Sequence, residues 1–184
     1  MKEKKLSNVW LLIAYILLAL ALVSDVYSLI IAQGGQKAAC VLEILSVLAA
    51  IAYFALGYKK DAAKYFRAVM FLIAGTVVLD YILLAIFPAA ADAGSSSYLE
   101  IALTLVIYGN FLLLAAGKDL GKKWSYILII INLAIYLCSL IAIIFAGATT
   151  PDELLMPIEW IAMTVVGLIM VKAKYLDKSN RDTK

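Results

Sequence analysis

Six long apolar runs, separated by short polar or charged breaks, make up almost the whole chain. Runs of about eighteen residues or more have the length to carry a helix across roughly 30 Å of hydrocarbon. The pattern predicts helices over about Val9–Ala32, Ala38–Tyr58, Lys64–Phe87, Tyr98–Ala116 and Trp124–Ala146. A sixth starts at Asp152-Glu153 and ends near Lys172. The breaks have their own chemistry. Gln33-Gly34-Gly35-Gln36 is a tight turn, Pro88 stops the third helix, the stretch from Pro88 to Ser97 is small and turn-forming, and Gly147-Ala148-Thr149-Thr150-Pro151 parts the last two helices. Asp152 and Glu153 suit the positive end of a helix dipole, and Pro157 predicts an irregular opening there.

Two of the breaks are basic and alike: Lys60-Asp61-Ala62-Ala63-Lys64-Tyr65-Phe66 aligns with Lys118-Asp119-Leu120-Gly121-Lys122-Lys123-Trp124. They divide the single domain, residues 1–184, into hairpins over about 1–59, 60–117 and 118–176, with 177–184 as a cytoplasmic tail. Glu43, Glu100 and Glu159 recur at nearly equal spacing, each near the start of the second helix of its hairpin. Asp25 and Asp80 correspond in the first helices, where the third hairpin has Cys138-Ser139, and Trp10, Phe66 and Trp124 open those helices. All three hairpins have one orientation, so the expected repeat is parallel and pseudo-threefold. The predicted fold class is an all-α integral membrane protein with six transmembrane helices arranged as three same-orientation hairpins.

Charge supplies the orientation. Of the 16 Lys and Arg residues, fifteen fall on one side of that topology and only Lys37 on the other. The positive-inside rule then puts both termini in the cytoplasm, and Trp10 serves as an interfacial anchor. Lysine-rich turns and short loops predict a multi-pass protein of a bacterial cytoplasmic membrane. The first helix is too long for a signal-peptide core and no A-x-A-like site follows it closely, so no cleavage is expected.

Composition agrees and narrows the chemistry. The chain is 65% hydrophobic with mean hydropathy +0.98, and its net charge of +3 lies mostly in turns, so no nucleic-acid surface is expected. With no histidine and two cysteines, zinc, copper and haem sites built on those ligands are excluded, and neither a metal nor a cofactor is expected. Cys40 and Cys138 lie toward the same face, which leaves a disulfide open, although a lone thiol in an apolar helix is usually packing material. Catalytic signals are missing as well. There is no G-x-S-x-G elbow or glycine-rich phosphate loop, and Asp25 and Asp80 lack the contexts of intramembrane aspartyl proteases. No enzyme is expected.

The carboxylates are the candidate chemistry. Asp25 and Asp80 sit deep in apolar helices, where an acid costs a few kcal/mol and faces the bundle interior or a water cavity. They read either as proton- or cation-binding groups or as polar glue between helices. Glu43, Glu100 and Glu159 lie nearer the outer helix ends, where an acid also complements the helix dipole. Polar and small residues recur beside them at helical spacing: Ala14, Ala21, Asp25 and Ser28; Glu43, Ser46, Ala50, Tyr53 and Gly57; Glu100, Thr104 and Tyr108; Ser125, Asn132, Tyr136 and Ser139. Thr76 joins the supporting set. Such stripes mark helix contacts in lipid, and they would equally line a narrow polar cavity.

Five carboxylates in the outer half with only Lys37 near them would repel one another, so some should carry raised pKa values or bind a cation. The expected function is therefore a transporter or channel-like protein with an outward-facing acidic vestibule for a proton, a cation or a cationic solute. The competing reading is a non-transporting subunit or scaffold whose stripes bind a membrane partner. Expected partners are the lipid bilayer, a small cation or cationic solute, and a membrane protein or a second copy of the chain.

Overall fold

The computed structural model describes residues 6–33, 36–57, 62–86, 98–117, 120–147 and 151–181. Within these it gives all side chains except those at 36, 57, 62, 63, 77, 80–86, 98–101, 151–153, 156 and 177–181. Every described element is a helix: α1 (Asn8–Ile31), α2 (Gln36–Ala52) with a π-helical continuation (Tyr53–Gly57), α3 (Ala62–Ile86), α4 (Tyr98–Ala116), α5 (Gly121–Phe145) and α6 (Pro151–Arg181). Asn8–Ile31, Lys37–Leu56 and Gly121–Phe145 are long and apolar enough to cross a membrane, and Ala102–Ala116 is a shorter apolar helix. The chain is thus all-helical among its described residues, with three candidate membrane spans.

Helices adjacent in sequence pack on one another, and α6 closes the ring against α1 while also reaching α3. Side-chain contacts show which helix ends meet. Lys172 Nζ lies 4.1 Å from the centre of the Trp10 ring, and Lys174 Nζ lies 4.7 Å from that of Phe66. Arg67 Nε donates to the Ala115 carbonyl at 2.9 Å, and the Ser125 and Tyr175 hydroxyls are 3.2 Å apart. Tyr53, in the π-helical turn, donates to the Met170 carbonyl at 3.2 Å. The starts of α1, α3 and α5 therefore share one basic end with the finishes of α2, α4 and α6. The finish of α1 and the starts of α2 and α6 meet at the other.

α6 is the most enclosed helix. Ala162, Met163, Val166, Ile169, Met170, Val171 and Ala173 are all buried. Small residues let its neighbours approach: a Cβ on Gly167 would stand 3.2 Å from Ile129 Cδ1 on α5. α5 is the least buried of the three candidate spans, with Phe145 88% exposed and Ile130, Ile141 and Ile144 turned outward. Gly147, at φ 87°, ends it in the left-handed conformation that glycine adopts without strain.

Two expectations about α6 need correction. The helix does not stop near Lys172 but continues to Arg181, because no breaker follows. Ala173 goes on packing, while Lys172 and Lys174 place their ammonium groups over aromatic rings. Pro157 is inside the helix and buried, and the turn around it remains helical. Cys40, which is buried, and Cys138, which is exposed, form no disulfide.

Candidate functional site

The acidic end of the bundle is built from three helices. On α1 the buried face is Ala14, Leu18, Ala21, Ser24 and Asp25, and its alanines admit close neighbours. On α2 the inward face runs Ser46, Val47, Ala50, Tyr53 and Phe54, with Glu43 about one turn above it. On α6, Glu159 precedes Ala162, Met163 and Val166 on the enclosed side. At 1.5 Å per residue, Asp25, Glu43 and Glu159 each lie roughly 9–12 Å inside their helix ends. They share one level.

One oxygen from each of these three side chains lies within 4.8 Å of the others. Asp25 is 0% exposed and Glu159 5%, whereas Glu43 is half-buried. The Ser24 hydroxyl donates to Glu159 Oε2 at 3.0 Å, which orients that carboxyl. Asp25 differs, since no hydrogen-bond donor among the described residues reaches either of its oxygens. Ionised carboxylates only accept hydrogen bonds, so these acids cannot satisfy one another without a proton or a cation between them. Two unit charges at such a separation repel by roughly 3–4 kcal/mol at an effective dielectric constant of about 20.

Beside the acids is a cavity of about 20 Å³ between α2, α3 and α6. That is room for about one water. Glu43, Glu159, Ser46 and Thr76 line it together with the carbon walls of Ile73 and Met163. Ser46 Oγ and Thr76 Oγ1 are 3.0 Å apart, and each also lies in reach of the carbonyl one turn back, Leu42 O at 3.1 Å and Leu72 O at 3.0 Å. Two hydroxyl protons can make at most two of these three contacts at a time.

The sequence candidates are thus partly assembled. Asp25, Glu43 and Glu159 converge, and Ser46 and Thr76 flank them. Glu43 and Glu159 lie about two turns inside the starts of α2 and α6, level with Asp25. Asp80 is on α3, one turn past Thr76, and Glu100 is near the start of α4, but both side chains are outside the described residues. Ser28, Thr104, Tyr108 and Ser139 are half-buried. Tyr136 stacks on Trp160 with ring centres 5.6 Å apart. Asn132 belongs to another cluster, where its Oδ1 accepts from Asn110 Nδ2 at 2.6 Å.

Sequence reasoning missed Ser24, Asn110 and Trp160. Ser24 had a usable signal, since it follows Ala21 by three residues on the inward face of α1. Asn110 did too, as an amide in an otherwise apolar run. For Trp160 the polar stripes carried no signal. No protein-family model, no curated protein and no solved structure matches this chain, so its carboxylate cluster is the ground for a functional reading.

Proposed function

We propose that the protein is a small transporter or channel-like protein that admits a proton or a small cation to an acid-lined site between α1, α2 and α6. The observation that carries this reading is Asp25: fully enclosed, without a donor, and facing two further carboxylates from different helices. A carboxylate placed only to hold helices together would find a hydroxyl or amide partner, as Glu159 finds Ser24. In this reading all six helices cross a bacterial cytoplasmic membrane with both termini inside, and the three hairpins are pseudo-threefold repeats. The basic end formed by Arg67, Lys172 and Lys174 supports that orientation. Asp80, one turn beyond Thr76 on α3, is positioned in sequence to extend the path.

In this reading the enclosed acids Asp25 and Glu159 form the inner part of the outward-facing vestibule, with the half-buried Glu43 beside them. Transport then requires opening at one end or both. The π-helical turn at Tyr53–Gly57 lies on the basic side of the acids, and such turns in helices often occur at functional positions.

The test is flux into proteoliposomes, read with a pH dye and with cation indicators inside the lumen. Wild-type protein is expected to move a proton or a cation, and Asp25→Asn to stop it. Absence of any flux would leave the second reading, a membrane subunit or scaffold. The outward apolar face of α5 favours that reading, because it could seat a partner helix or a second copy in lipid.

A further inference from the structure

We propose that Asp25, Glu43 and Glu159 together hold one hard divalent cation, of the magnesium, calcium or manganese class. The inference rests on the cation reading of this site and specifies its ligand. Three features of the cluster point to it, and they are separate.

The first is reach. Hard cations bind oxygen at about 2.0–2.6 Å, so two ligand atoms on opposite sides of one ion are roughly 4–5 Å apart. The three carboxylate oxygens, all within 4.8 Å of one another, fit inside a single coordination sphere. The second is Asp25 itself. Its side chain is 0% exposed and neither oxygen receives a donor. A shared proton could join it to one neighbouring carboxylate, but that leaves its other oxygen unserved. An ion in contact with all three serves the whole cluster. The third is orientation. Ser24 occupies Oε2 of Glu159 from outside, which leaves the other carboxylate oxygen for a ligand, as outer partners do for metal-binding side chains.

Charge and donor type select the class. Three ionised carboxylates carry three negative charges, of which a divalent ion cancels two and a monovalent ion one. An enclosed site favours the smaller remainder. Every ligand atom is a carboxylate oxygen, which suits hard ions over zinc or copper.

The experiment is a manganese titration of metal-stripped protein in nanodiscs of neutral phosphatidylcholine, following free Mn2+ by electron paramagnetic resonance. Calcium and magnesium serve as competitors. Wild type is expected to bind one ion per chain, and Asp25→Asn and Glu159→Gln each to weaken binding by about tenfold or more. Where a variant fails to fold, X-ray absorption of the wild-type complex replaces it, with an all-oxygen first shell expected and a sulfur scatterer counting against the site. The proposal is overturned if folded wild type binds none of the three ions at millimolar concentration, or if the double variant binds as well as wild type. Divalent binding without flux would remove the transport reading and keep this site. Proton or sodium flux that needs Asp25, with no divalent binding, would do the reverse.

Discussion

Among the described residues, two of the buried polar clusters are built on opposite principles. Between α4 and α5, Asn110 Nδ2 donates to Asn132 Oδ1 at 2.6 Å and also approaches the Leu128 carbonyl at 3.4 Å. Below it, Ser125 meets Tyr175 and the Gly121 carbonyl. Amides and hydroxyls both give and accept, so such a cluster can close on itself, and here Asn132 Nδ2 alone is left over. Between α1, α2 and α6 the ionised carboxylates only accept, and the Ser24 hydroxyl answers Glu159 but not Asp25. Asp25 meets no donor among the described residues, a deficit that a shared proton or, as proposed above, a cation would fill. The neutral cluster reads as helix glue, whereas the acids are the groups for which a ligand is proposed.

That contrast can be broken from either side. The largest effect is expected from Asn132→Asp, which gives the neutral cluster a buried charge with one donor to answer it. A loss of about 3 kcal/mol in unfolding free energy is predicted, measured by reversible denaturation in mixed micelles. A variant as stable as wild type would mean that the α4–α5 interface is wetter than its burial implies.

The next largest effect has the opposite sign. Asp25→Leu should stabilise the metal-free protein by about 1–4 kcal/mol, because an apolar side chain replaces an acid that nothing satisfies. The same change should abolish cation binding and flux. Gain of stability with loss of function would identify Asp25 as a residue kept for its ligand. If stability falls instead, the carboxyl is bonded in the resting protein and its role is structural.

The smallest effect concerns the glue itself. Asn132→Leu alone should cost about 1 kcal/mol by stranding the amide of Asn110, while the paired Asn110→Leu, Asn132→Leu change should come close to neutral. Cation binding should not change in either. A double-mutant cycle gives the coupling directly, and zero coupling would mean that the 2.6 Å contact contributes nothing.

Much of the helical architecture was legible because lipid and chain length constrain it. The fourth helix, Tyr98–Ala116, has the bounds that its apolar run implied, and Ala14, Ala21 and Asp25 form an inward face as their spacing suggested. Hydrophobicity was a poor guide to burial, however. α5 is an apolar candidate span yet turns Phe145 and Ile144 outward, while α6, which carries lysines and a proline, lies at the centre. In the proposed membrane setting, lipid is as apolar as leucine, so nothing drives the greasiest helix inward, and small or polar residues take the interior through packing and hydrogen bonds.

The sequence by itself determined the helices, the one-sided distribution of basic residues and the set of acids worth watching, because periodicity, breakers and charge are local properties. Only the tertiary structure decided which acids meet. Asp25 and Glu159 are far apart in the chain, and they come together because α6 closes the ring against α1, a contact set by the packing of small side chains across several helices at once.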